Sequence, residues 1–122
     1  MLIAMLLAAT GPNAVLAGDF DRDGRPDRIR VMKDGAKHKL VLYRSLGDSV
    51  PIETNVEVGD TFTLTKVPRD GRATACAFAS ISRFNCEAGD VVRYGNGPDD
   101  AMAIWNNSRF IVYRPSSNRE AR

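Results

Sequence analysis

Nine consecutive residues, Asp19-Phe20-Asp21-Arg22-Asp23-Gly24-Arg25-Pro26-Asp27, limit what this chain can become more than any other stretch. Four carboxylates this close repel one another, so a fold that gathers them needs a metal ion or nearby guanidinium groups. Their spacing is orderly, with carboxylates at loop positions one, three, five and nine and a glycine at six. A chain that wraps a hard cation turns alternate side chains inward and bends sharply at position six, where glycine accepts the strained backbone. Asp19, Asp21, Asp23 and Asp27 are therefore candidate calcium ligands, Asp27 binding directly or through a water. Arg25 at position seven would ligate through its backbone carbonyl, a role that its side-chain charge does not forbid and that Pro26 leaves intact. The competing reading is an Asx-rich turn whose aspartates are solvated or paired with Arg22, Arg25, Arg28 and Arg30.

An EF-hand is excluded, because position twelve, which would have to be a bidentate Glu, is Arg30. Directly after the loop, Arg28-Ile29-Arg30-Val31-Met32 alternates polar and apolar residues and predicts a strand rather than an exiting helix. The loop so placed resembles the DxDxDGxxD calcium loop of FG-GAP/VCBS-type repeats, the integrin-like propeller blades, with Arg22 standing where a small residue is common. The resemblance covers the loop alone; the Phe-Gly and Gly-Ala-Pro marks of a complete repeat are absent and no internal repeat is visible, so length excludes a propeller. It implies calcium as the cofactor and a strand after the loop.

Residues 1–17 carry no charged side chain and run from an apolar stretch through Gly11-Pro12 to Val15-Leu16-Ala17. That composition predicts a secretory signal peptide cleaved after Ala17, although no Lys or Arg precedes the apolar run. It is too short to span a bilayer, which takes about 20 apolar residues, so no membrane span is expected after cleavage. Export, periplasmic or secreted, also suits calcium. Residues 18–114 then form one compact domain, and 115–122 a polar, flexible tail. With 17 Lys and Arg against 15 Asp and Glu, the net charge of +2 gives no argument for nucleic acid.

The remainder predicts an all-β fold: a small antiparallel meander, sandwich or partly open barrel. Asp34 to Lys37 reads as the turn of a hairpin between Arg28–Met32 and His38–Tyr43. Gly47-Asp48, Gly59-Asp60, Arg69-Asp70-Gly71 and Gly95 to Asp100 mark further turns. Between them, Ile52–Val58, Thr61–Thr65, Val91–Tyr94, Ala101–Trp105 and Arg109–Tyr113 read as strands, and Ala73–Ala79 as the start of a buried one. No stretch after residue 17 has helical period and adequate length. Cys76 and Cys86, the only cysteines, predict a disulfide closing a short loop; a metal site would want further Cys or His nearby.

Little else points to chemistry. His38 is the only histidine, and none of the serines sits in a nucleophile-elbow context. Asp99-Asp100 reads as a solvated turn, with a weak second cation contact as the alternative, and Asn106-Asn107-Ser108 as a hairpin turn rather than a glycosylation site. Trp105, Phe110 and Tyr113 fit core or sheet-face positions. The expectation is not an enzyme. It is a calcium-binding β module with a structural metal, or a small periplasmic or secreted interaction or inhibitor protein that uses a sheet edge or the aromatic hairpin.

Overall fold

A computed structural model of the chain describes residues 8–68, 73–78, 89–97 and 100–114. Among these, nine strands and one short helix occur in order: β1 (Ala8–Thr10), β2 (Val15–Gly18), β3 (Asp27–Asp34), β4 (Lys37–Tyr43), β5 (Ser49–Val56), β6 (Thr63–Lys66), α1 (Ala73–Phe78), β7 (Val92–Gly95), β8 (Ala101–Trp105) and β9 (Phe110–Tyr113). They form two antiparallel sheets, β1-β6-β7-β8-β9 and β2-β3-β4-β5, with no closed barrel. Period-two alternation builds each layer. In β3, Asp27, Ile29 and Val31 are buried while Arg28 and Arg30 face out, as a pleated strand with one wet face requires. The β3–β4 hairpin closes with Asp34 opposite Lys37 across Gly35-Ala36, and Gly35 supplies the positive φ of 65° that so tight a turn demands.

The core lies between the sheets. Leu16, Ile29, Leu40 and Leu42 from one sheet meet Leu64, Val92, Tyr94 and Trp105 from the other, with Phe20 and Phe62 fully enclosed. Each such side chain contributes about 1.5–3 kcal/mol when removed from water. A second, smaller cluster of Val67, Ala75, Cys76, Val91 and Ile104 packs α1 against the outer face of the five-stranded sheet. The four-stranded sheet has no described element on its outer face. Its edge strand β5 carries two register shifts against β4, which turn Glu53 inward opposite Leu40. Across the sandwich, the Tyr94 hydroxyl donates to Glu53 Oε1, and Arg114 Nη2 lies 2.7 and 2.5 Å from the two Glu53 oxygens. These contacts tie β5 to the other sheet.

Residues 8–17, which fall within the leader expected over residues 1–17, supply β1 and, with Gly18, β2. β1 pairs with β6 and β2 with β3, so one short segment edges both sheets, and Ala14 and Leu16 are buried in the core. Small apolar residues without charge suit a leader and a buried strand equally; the alternation of exposed and buried positions along Val15–Gly18 is the strand signal. Ala73–Phe78, read as the start of a strand, is helical. It is short, rich in alanine, the strongest helix former, and lies on a sheet rather than in one. Cys86 and the tail at 115–122 lie outside the described residues, as do Asp99 and the turn at 69–71. Cys76 lies on α1 and is buried, and its expected partner Cys86 is outside the described residues. No described helix is long and apolar enough to cross a membrane.

The packing of β1 and β2 makes a prediction. Leu16→Ala removes a side chain that is 1% exposed and should cost about 2–5 kcal/mol in chemical denaturation. A chain beginning at Gly18 lacks β1 and nearly all of β2, and should lose its cooperative transition. An unchanged transition in that shortened chain would mean the two strands are dispensable.

Candidate metal centre

The turn between β2 and β3 is the aspartate loop, and its shape comes from its residues. Gly24 takes φ 84°, the sharp bend expected at position six. Arg22 also lies in the left-handed region, at φ 61°, where a side chain costs about 1–2 kcal/mol. This is the position at which the resembled loops carry a small residue. Asx hydrogen bonds wind the backbone around the carboxylates. Asp19 accepts from the amides of Asp23 (3.1 Å) and Gly24 (3.0 Å), Asp21 from Asp23 (3.3 Å), and Asp23 from Arg25 (2.8 Å). The result gathers Asp19, Asp21, Asp23 and Asp27 so that one carboxylate oxygen of each lies within 4.8 Å of the others. Asp21 and Asp27 are buried, Asp19 is half-buried, and Asp23 is exposed.

Three other segments converge on the loop. From the β4–β5 turn, Arg44 Nε donates to Asp21 Oδ2 at 2.8 Å and the Ser45 amide to Asp27 Oδ1 at 3.0 Å. Arg44 also lies 5.5 Å from the Trp105 ring centroid and pairs with Asp48. The segment before β7 exchanges two bonds with the loop, Asp19 N to Asp90 Oδ2 (2.8 Å) and Asp90 N to Asp19 O (2.9 Å). At Gly89 any Cβ would lie 2.3 Å from Arg22 Cγ and 2.8 Å from the Asp19 carbonyl, so only glycine allows this approach. From the β8–β9 turn, Asn107 Oδ1 accepts from Arg22 Nη2 at 3.0 Å. The loop therefore sits where both sheets end.

Charge is unevenly resolved. Asp27 is enclosed and both its oxygens accept from backbone amides, those of Phe20 and Ser45. Burial raises its pKa to about 6, with the Ser45 hydrogen bond opposing and the neighbouring Asp21 and Asp23 adding to the rise. Burial likewise raises Asp19, against the hydrogen bonds from Gly24 and Asp23. Asp21 feels the same burial, but the Arg44 guanidinium, with hydrogen bonds from Asp27 and Asp23, holds its carboxyl below the usual range. Arg44 is thus the cation that bonds directly to the cluster, while Arg22 lies close enough to feel the attraction of Asp19 and Asp21 without pairing with either. None of Arg22, Arg25, Arg28 and Arg30, the expected counter-charges, forms an ion pair among the described residues. Arg44, Ser45 and Asp90 are the site residues that sequence reasoning missed. They lie 23, 18 and 71 positions from their loop partners, and no local pattern links them.

Four carboxylates, two of them buried and two raised in pKa chiefly by burial, offer hard oxygen donors that could hold a metal ion. The class is thus an all-β, two-sheet protein with a carboxylate cluster able to hold a metal ion. Comparison with protein-family models, curated proteins and solved structures finds no match. The FG-GAP/VCBS resemblance accordingly rests on the loop residues alone. Arg25 is in the loop through its amide, which donates to Asp23. The other sequence candidates are not drawn to this centre. His38 lies in β4, Asp100 accepts from Gly97 within its own turn, and Trp105 and Phe110 stack edge to face in the core, with centroids 5.2 Å apart.

The raised Asp27 sets a pH dependence for the metal-free protein. Its folded pKa of about 6 lies above the ordinary 3.8, so folding takes up a proton between those values. Its contribution to stability is complete below the lower value and lost as pH rises through the higher one. Asp21, held low, contributes in the opposite sense and only in more acidic solution. In EDTA the melting temperature should therefore fall between about pH 4 and pH 7. With calcium the fall should shrink or reverse, because the metal requires the deprotonated carboxylate. A melting temperature that rises through this interval in EDTA would contradict the assignment.

Proposed function

We propose that this protein is a calcium-binding β module whose metal is structural. The observation that carries the reading is the convergence of four carboxylate oxygens within 4.8 Å at the junction of both sheets. Asp19, Asp21, Asp23 and Asp27 would hold the ion, with the Arg25 carbonyl at position seven. Bound there, calcium would neutralise the carboxylates and fasten loop, β4–β5 turn and Asp90 together. The chain's own residues do the positioning: the Phe20 and Ser45 amides orient Asp27, and the Asp23 and Gly24 amides orient Asp19. The expected setting, periplasmic or extracellular, is one in which a loop with an affinity of roughly 10⁻⁴–10⁻³ M would be loaded. The charge-free N-terminal run supports export, but processing that kept the two sheets edged would have to fall before Ala8 rather than after Ala17.

The interaction-protein reading gains nothing from the aromatic hairpin, because Trp105 and Phe110 are buried, at 6% and 9% exposure. Edge strands lie at β1 and β9 of one sheet and at β2 and β5 of the other.

Thermal unfolding of the full chain in EDTA, calcium and magnesium tests the reading. About 10 mM calcium should raise the melting temperature by roughly 5–15 °C, from the linkage expected at ten to a hundred times Kd. Magnesium, smaller and strictly octahedral, should do much less. Asp23→Ala removes an exposed ligand without orphaning a buried group and should abolish the calcium shift while changing the unfolding free energy in EDTA by no more than about 1 kcal/mol. An equal shift with both metals, or none, would reduce the loop to an Asx turn balanced by Arg44.

A further inference from the structure

The two outer faces of the sandwich differ. On the five-stranded sheet, Met102, Ile104, Ile111 and Tyr113 pack beneath or beside α1. On the four-stranded sheet nothing described lies over the outer face, and that face is basic. Because Leu16, Ile29, Leu40 and Leu42 point into the core, their neighbours in register point out. Arg28 stands opposite Tyr43, Arg30 opposite Val41, and Met32 opposite Lys39, with Val15 and Ala17 flanking on β2. Residues two apart on a strand are about 7 Å from each other and neighbouring strands about 4.8 Å, so Arg28, Arg30 and Lys39 fall within about 15 Å. None of the three has an ion-pair partner among the described residues. Arg30 instead lies 5.9 Å from the Tyr43 ring centroid. The one acid in the outward register, Asp34, is opposite Lys37 at the far end.

These three cations, none of them ion-paired among the described residues, give the face a local positive charge in a chain whose net charge is +2. We propose that the outer face of β2-β3-β4 is a docking surface for the anionic headgroups of a lipid bilayer. Charge complementarity calls for a polyanion, and the shape and composition of the face select among polyanions. It is a broad sheet surface in which the cations alternate with apolar side chains, among them Val15 at 38% exposure, half-buried Met32 and half-buried Tyr43. A planar array of anionic headgroups above an apolar layer matches both components, with arginine stems lying along the apolar patches and guanidinium groups meeting phosphates. A nucleic-acid strand would want a groove and exposed aromatic platforms. Here the one aromatic side chain identified on the face, Tyr43, is covered by Arg30, and its hydroxyl donates to Met32 Sδ.

The test is co-sedimentation of the full chain with vesicles of phosphatidylglycerol and phosphatidylcholine, against pure phosphatidylcholine. EDTA is present so that calcium cannot bridge the aspartate loop to lipid. The expected result is binding that requires the anionic lipid and is lost at ~0.5 M salt. Each cation contributes about a factor of five near an anionic surface, so an Arg28→Gln, Arg30→Gln, Lys39→Gln variant should bind about a hundredfold more weakly with an unchanged melting temperature. Should that variant fail to fold, the three single variants, each expected about fivefold weaker, carry the same test. No binding to anionic vesicles at low salt, equal binding to both vesicle types, or undiminished binding by folded variants would overturn the proposal. A chain that binds a single-stranded oligonucleotide more tightly than the vesicles would assign the face to nucleic acid and overturn it too.

Discussion

Two carboxylates, Asp21 and Asp27, are buried side by side at the point where both sheets end, and the arrangement around them depends on how that charge is met. Burial of an unpaired carboxylate is costly enough to unfold a domain of this size, so every neighbouring group is constrained. Asp27 takes two backbone amides and Asp21 takes the Arg44 guanidinium, while burial raises the pKa of Asp27 to about 6. Arg44 does not supply enough charge for four carboxylates. That shortfall is the physical argument for a divalent cation: it would replace a balance struck with protons and one guanidinium by direct neutralisation.

The rest of the fold frames this point. The aspartate loop enters from β2 and leaves into β3, so its conformation sets the register of the four-stranded sheet. Through Arg44 and Ser45 it holds the β4–β5 turn, and through Asp90 and Asn107 it reaches the five-stranded sheet. At another point of the sandwich, Glu53 performs a similar task without a metal, linking β5 to Tyr94 and Arg114. The residue 8–18 segment completes the frame by edging both sheets at once. One layer is then capped by α1, and no described element lies over the outer face of β2-β3-β4.

Much of this was legible in the chain. The Asp19–Asp27 spacing foretold a loop that gathers its carboxylates, and the Asp34–Lys37 turn foretold the β3–β4 hairpin. Thr61–Thr65 alternates so that Phe62 and Leu64 share one face, and that face is the buried one. These features are local: a turn residue or a period of two carries them. The features that escaped depend on distant partners or on composition that serves two purposes. Ala8–Gly18 has the charge-free composition of a leader, and only its pairing with β6 and β3 distinguishes it as strand. Ala73–Phe78 is too short for its helical period to register. Glu53 faces inward only because β5 slips register, and nothing in Ile52-Glu53-Thr54-Asn55 announces that slip beforehand. Arg44 looks like any arginine beside a turn until the fold sets it against Asp21.

Amide hydrogen exchange with and without calcium tests most directly whether a metal holds this junction. The amides of Phe20, Asp23, Gly24, Ser45 and Asp90 all bond into or beside the cluster, yet lie in three separate segments. If calcium binds the four aspartates and fastens those segments, exchange at all five should slow together, and magnesium at equal concentration should have little effect. If calcium leaves these amides unchanged, or slows exchange only elsewhere, the cluster is not a calcium site and protein groups, Arg44 foremost, balance it.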